Sequence, residues 1–392
     1  VWRIESARVI AGLTRMVGDV GLAEDLTQDA LVAALEQWPE SGVPRNPGAW
    51  LMTAAKHRAI DLFRRDKMLD RKHEQLVHSL EAKQEATGDL GAKLDDQIGD
   101  DLLGLMFISC HPVLSTEARV ALTLRLLGGL TTEEIARAFL VTTPTIAQRI
   151  VRAKRTLAEA RVPFKVPRGA ELGVRLASVL EVVYLVFNEG YSATAGDDWL
   201  RPLLCDDALR LGRILAELVP DEPEAHGLAA LMEIQASRAT ARVGPAGEPV
   251  LLFDQDRSKW DQLLIRRGLT ALARAEALGG TLGPYTLQAA IAACHARALT
   301  PEATDWTRIV ALYDGLAQLM PSPVVELNRA VALAMMYGPA AGHLLPAVHG
   351  DLLARLGRFH EARREFERAA SLTRNTRERT LLLERAAGCG KT

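Results

Sequence analysis

The sequence predicts an all-α protein, and three observations carry that expectation. Hydrophobic residues make up 48% of the 392 residues while aromatics make up only 5%, and Ala, Leu, Arg and Glu abound, a mix that suits packed helices better than sheets. Apolar residues recur at three- and four-residue spacing through most of the chain. Gly and Pro fall between those stretches, where helices begin and stop. The apolar content supplies a buried core and excludes a disordered chain. The length suits two or three domains.

Charge nearly cancels, 47 Lys+Arg against 49 Asp+Glu for a net charge of −2, which taken whole argues against a simple basic nucleic-acid binder. Along the chain the average breaks apart. Asp19 to Glu40 holds six acids and no base, and Arg45 to Glu74 eight bases and four acids. Glu74 to Asp101 holds eight acids and two bases with little periodicity, and Arg149 to Arg168 seven bases and one acid. The alternation suggests two small modules joined by a weakly structured acidic linker. Cys110, Cys205, Cys294 and Cys389 show no CxxC spacing, so neither a disulfide framework nor a zinc site is expected. No apolar run reaches the roughly 18 residues of a membrane helix and no signal peptide opens the sequence, so a soluble, cytoplasmic protein without membrane contact is expected.

The first module opens on a helix across Asp19–Trp38, ended by Pro39. Thr27, Leu31, Ala34, Leu35 and Trp38 form its apolar stripe. Asp25, Asp29 and Glu36 lie on another face, which with Gln28 suits a basic partner. Pro47 and Gly48 open a second helix whose core stripe is Leu51, Ala55, Ala59 and Leu62. Lys56, Arg58, Arg64, Arg65 and Lys67 supply cationic groups that can reach phosphates, and Trp50 can either stack against a base or pack inside. Cations beside an aromatic suit single-stranded or melted DNA.

The second module is more specific. A helix from Glu117 stops at Gly128-Gly129. Thr131 or Thr132 caps the next, with Glu133 and Glu134 in its first turn. A turn at Val141–Thr143 leads to a third helix opening near Thr143-Pro144. In that helix Ile146, Ile150, Ala153 and Leu157 face the core, while Thr145, Gln148, Arg149, Arg152 and Arg155 take the opposite side. This is the layout of a helix-turn-helix, with a polar, cationic stripe for the major groove.

The remaining residues read as Ala/Leu-rich helices. Tyr184–Trp199 reads as a polar break in which Glu189, Asp197 and Asp198 have no partner base or ligand spacing. No catalytic residue, metal or cofactor is expected. Leu353, Gly357, Ala362, Phe366 and Ala369 follow tetratricopeptide-like spacing, with weaker helical patterns over Ala271–Ala298, Asp305–Met320 and Pro323–Gly342. Stacked helix hairpins of this kind bind proteins or peptides. The segment Tyr337–Asp351 looks too short for the end of one hairpin and the start of the next, as though a helix were missing.

AEDLTQDALVAALEQW, NPGAWLMTAAKHRAIDLFRR and TTEEIARAFLVTTPTIAQRIVRAKRTL, in that order, resemble an extracytoplasmic-function (group IV) RNA polymerase sigma factor. NEGYSA, Leu204–Met232 and Leu251–Asp261 extend the resemblance to the subgroup with a tetratricopeptide-like C-terminal extension. The resemblance implies region two over 1–73, an acidic linker over 74–100 and region four over 101–162. A helical connecting domain over 163–262 and tetratricopeptide-like repeats over 263–392 follow. It implies that Glu24, Asp25, Gln28, Asp29 and Glu36 bind core RNA polymerase. Trp50, Lys56, His57, Arg58, Arg64 and Arg65 then contact the −10 element, and Thr143, Thr145, Gln148, Arg149, Arg152 and Arg155 the −35 element. Region two is expected on the polymerase clamp and region four on its flap, with the extension as a regulatory domain that takes a protein or peptide partner. His57 stands where the family often has asparagine, and Leu140 replaces a glycine common in the helix-turn-helix turn. The resemblance implies an initiation factor, not an enzyme. Two other classes fit the residues: a helix-turn-helix regulator with a helical-repeat sensor, which binds duplex tightly without polymerase, and a helical-repeat adaptor, whose binding is salt-insensitive.

Overall fold

The computed structural model describes residues 2–67, 91–192, 201–245, 248–279, 282–337, 343–355, 357–373 and 376–389. The chain divides into two compact units, Val1–Val219 and Pro220–Thr392, a division that falls within the span 163–262. The first unit holds α1 (Trp2–Val17), α2 (Val20–Ser41), α3 (Pro47–Lys67), α4 (Gly91–Ser109), α5 (Thr116–Leu126), α6 (Thr132–Ala138), α7 (Thr143–Glu159), α8 (Ala170–Tyr191) and α9 (Pro202–Leu218). The second holds α10 (Pro223–Ala236), α11 (Gln262–Ala277), α12 (Pro284–Arg297), α13 (Trp306–Leu319), α14 (Pro323–Tyr337), α15 (Leu344–Arg355), α16 (Phe359–Leu372) and α17 (Thr376–Gly388). Among the described residues, β pairing is limited to an isolated antiparallel bridge between Val243 and Pro249. The fold is all-α, as the composition and periodicity require.

In the first unit α1 packs on α2, α3 and α4 through the buried Val9, Ile10 and Leu13. Gly18, at φ +74°, makes the left-handed turn out of α1 that a side chain would strain. Asp19 then caps α2 by accepting from the Leu22 amide at 2.8 Å, the usual work of an aspartate at this position. The buried stripe of α2 runs through Ala23, Leu26, Ala30, Ala33 and Ala34, whereas Leu35 is 66% exposed. The expected stripe is therefore rotated, because α1 and α3 pack against the alanines. Pro39 does not end the helix. It sits inside α2, which closes at Ser41 with the Gly42 amide bonded to the Trp38 carbonyl at 2.9 Å; in a last turn a proline forfeits only one backbone bond. On α3, Leu51, Ala55 and Ala59 are buried as expected, but Phe63 continues the stripe and Leu62 is partly exposed.

The end of the acidic stretch is helical, since α4 starts at Gly91; residues 68–73 of the expected region two and 74–90 of the expected linker lie outside the described residues. Helix also replaces the start of the expected break at Tyr184, because α8 continues to Tyr191. Asp197 and Asp198 lie outside the described residues.

In the second unit each helix packs on its neighbour in sequence, and α10 also on α12. A methyl group at Gly227 would meet the Thr286 amide at 2.8 Å, so this glycine sets the close approach of α10 to α12. Beside it the Glu224 carboxylate accepts from the Tyr285 amide at 2.8 Å and the Thr286 amide at 3.0 Å, capping α12. Leu353, Ala362, Phe366, Ala369 and Leu382 form the core of α15–α17. Between Tyr337 and Asp351, α14 ends at Tyr337 and α15 begins at Leu344, so part of the segment that looks short belongs to the first turns of α15; residues 338–342 lie outside the described residues.

Candidate nucleic-acid interface

The helix-turn-helix forms where the sequence places it. Thr131 caps α6 in a reciprocal capping box, with the Glu134 amide donating to Thr131 Oγ1 at 3.2 Å and the Thr131 amide to Glu134 Oε2 at 2.8 Å. Helix α6 ends in a Schellman turn: the Val141 amide bonds the Ala136 carbonyl at 3.0 Å and the Leu140 amide the Arg137 carbonyl at 3.3 Å. Leu140 holds the left-handed position at φ +50° and is 54% exposed. The turn is thus built as a glycine turn without the glycine. Pro144 then sits in the first turn of α7, where its missing donor costs nothing.

Ile146, Ile150, Ala153 and Leu157 of α7 are all buried against α5 and α6. Thr145, Gln148 and Arg152 are exposed and Thr143 and Arg149 partly so; Thr145, Gln148, Arg149 and Arg152 line a groove with Ser115 and Glu117 at the start of α5. Thr145 shares a hydroxyl hydrogen bond of 2.8 Å with Thr142. Arg155 is exposed but tied to Glu159 at 2.6 Å. Glu117 is held below the usual carboxylate range, first by its own backbone amide, then by Ser115, with Arg149 a smaller contributor.

Asp25, Asp29 and Glu36 of α2 are exposed, beside Val32 and Leu35, which are also exposed. Glu24 and Gln28 differ. Glu24 is buried and ion-paired to Arg125 of α5 at 2.6 Å and Lys154 of α7 at 2.5 Å, while Gln28 donates to it at 2.8 Å. Burial pushes this carboxyl up, but the two cations outweigh it and its pKa is lowered overall. On α3, Lys56, His57 and Arg64 are exposed, Arg58 is half-buried, and the Arg65 side chain lies outside the described residues. Trp50 meets the Trp38 ring edge-on with centroids 5.4 Å apart, so it packs between α2 and α3 rather than standing free.

Sequence reasoning missed the basic partners of Glu24 and a set of polar contacts from α8 and α9. Arg175, Ser178, Arg201 and Arg210 reach carbonyls of the helix-turn-helix module. Arg125 and the arginines of α8 and α9 stand singly in apolar helices and Lys154 is one base among several on α7, so no spacing marked them. Cys110 is buried, bonds Thr123 Oγ1 at 3.3 Å, and has its thiol pushed up to about 11 by burial. It remains an inert thiol.

A helix-turn-helix with a cationic row on its second helix, beside a second helical module with an acidic face and a basic helix, is a layout that suits DNA. The sigma-70 region 2 model matches residues 3–68 and the sigma-70 region 4 model residues 105–157, while a family of unknown function (DUF6596) matches residues 175–276. An uncharacterized protein of Rhizobium meliloti (strain 1021) is 42% identical over 387 residues, covering 95% of this chain and 90% of that protein. No solved structure matches the chain. The chain belongs to the sigma-70 family, as a factor of the extracytoplasmic-function type with a C-terminal extension. It serves transcription initiation through core RNA polymerase and promoter DNA, and is not an enzyme. Among the described residues no helix is long and apolar enough to cross a membrane.

Proposed function

We propose that the two modules divide promoter recognition between them. The exposed face of α2, with Asp25, Asp29 and Glu36 around Val32 and Leu35, docks on the polymerase clamp, and region four docks on the flap. Helix α3 engages and opens the −10 element through Lys56, His57, Arg58, Arg64 and Arg65. Helix α7 reads the −35 element through Thr143, Thr145, Gln148, Arg149 and Arg152, with Arg155 at the phosphate edge of the row. The observation that carries this reading is the single file of Thr145, Gln148, Arg149 and Arg152 opposite a fully buried stripe on α7. Holding both readers on one polymerase lets each be weak alone. The α10–α17 unit modulates this engagement and takes a protein or peptide partner on its stacked helices. The place of action is the cytoplasm, where the polymerase is.

Transcription with purified core polymerase on genomic fragments tests the reading. Promoter-dependent initiation with −35 and −10 footprints is expected, and reversal of Asp25 and Asp29 to lysine should abolish copurification with core. Initiation that never depends on the added protein would overturn it.

A further inference from the structure

Helices α4, α5 and α6, which lead into the reading helix, each end on backbone carbonyls without a partner in their own helix. In every case a side chain of α8 or α9 supplies one. At the end of α4, Arg175 donates to the Phe107 carbonyl at 2.7 Å and Ser178 to the Cys110 carbonyl at 2.7 Å. At the end of α5, Arg210 donates to the Leu127 carbonyl at 2.7 Å. At the end of α6, Arg201 donates to the Ala138 carbonyl and pairs with Glu189. A cation at a helix C-terminus is the charge its dipole favours. The region four match stops at residue 157 and the family of unknown function begins at 175, so all of these side chains belong to a segment with no assigned role.

We propose that α8 and α9 complete the DNA-reading domain, and that Arg201 is a positioning residue for promoter recognition. Ala138 stands two residues before Leu140, the left-handed residue on which the turn into α7 pivots. Arg201 is itself fixed: its side chain is 14% exposed and that of Glu189 11%, and its amide bonds the Gly190 carbonyl at 2.7 Å. Gly190 permits this because a methyl group there would meet the Cys205 amide at 2.7 Å. Arg201 therefore ties the end of α6 to the packed pair α8 and α9, and the angle at which α7 enters the groove follows from that tie. Arg201 touches no DNA. It acts through the turn, and this role rests on the reading in which α7 recognises the −35 element.

The test uses the full chain, with Arg201→Gln and Arg201→Lys, bound to core polymerase. The DNA is a promoter recovered by holoenzyme footprinting, intact or with its −35 element scrambled. Wild type is expected to prefer the intact promoter. Arg201→Gln should lower that preference about tenfold while leaving core binding unchanged, and Arg201→Lys should restore part of it. Amide exchange should speed up at Leu140 and Val141 in Arg201→Gln, but not in α1–α3. Full −35 discrimination by Arg201→Gln would overturn the proposal. Loss of core binding together with discrimination would make Arg201 a general stability residue and would overturn it too. A wild type without −35 preference would instead remove the underlying reading.

Discussion

Leu140 occupies backbone space that suits glycine, at φ +50°, and its side chain is largely exposed, so little packing offsets the strain. A left-handed non-glycine residue costs about 1–2 kcal/mol, part of which glycine returns through its freer unfolded chain. Leu140→Gly is therefore expected to stabilise the first unit by about 0.5–1 kcal/mol, seen as a higher urea midpoint with unchanged slope. His295 in the second unit offers a test with the opposite character. Burial, then the charges of Arg238 and Arg257, push its pKa down to about 4. Its ring packs edge-on against Trp306 at 5.4 Å. The unfolded chain takes up a proton near the ordinary histidine value and the folded chain resists, so stability is full above that value and falls as pH drops toward 4. The loss is on the order of 3 kcal/mol. Urea unfolding of wild type at pH 7 and pH 5 should show the decline, and His295→Phe should flatten it.

Helix α7 shows what periodicity makes legible. Ile146, Ile150, Ala153 and Leu157 keep one face of α7 buried, and the capping pattern at Thr131–Glu134 fixes the helix before it, so the cationic row could be read residue by residue. Arg149→Ala and Arg152→Ala should each weaken promoter binding and shallow the salt dependence by about one charge in the log–log slope. Long-range pairing was not legible. Glu24 looks like one more acid on an acidic helix, and its partner Arg125 lies 101 residues away; nothing local marks it as the buried member. Glu24→Gln leaves Arg125 and Lys154 facing an uncharged amide and should cost about 3 kcal/mol in urea unfolding. Because the folded pKa of Glu24 is lowered, its contribution is present above the ordinary glutamate range and disappears as pH falls through the lowered value. The rotated stripe of α2 had the same cause as the hidden pairing: the neighbours that choose which face is buried come from elsewhere in the chain.

Across the whole chain the net charge of −2 is a sum of opposed patches, and some of them cancel in space rather than only on paper. Acids of α2 meet bases of α5 and α7 at Glu24, and Arg15 of α1 meets Asp101 of α4 at 3.0 Å. The order of modules was legible because each carries its own amphipathic pattern. The attachment of α8 and α9 to the reading domain was not, since it rests on single arginines reaching backbone carbonyls, which any sequence can supply. The Glu24 pairing also sets a distance problem. Elements named for positions −35 and −10 lie about 25 base pairs apart, about 85 Å along the duplex at 3.4 Å per pair, whereas α2, on which the −10 helix α3 packs, touches α7 through a 2.5 Å ion pair. On the proposed reading, a molecule with that pair closed cannot occupy both elements. Apparent promoter affinity is then the intrinsic affinity scaled by the fraction of molecules in which the pair is open. Lys154→Glu sets two carboxylates face to face and should raise that fraction, lengthening the distance between fluorescent labels on α3 and α7. It should also lower the concentration of this protein needed for half-maximal initiation, so that the same ion pair which steadies the free protein acts as a threshold on its use.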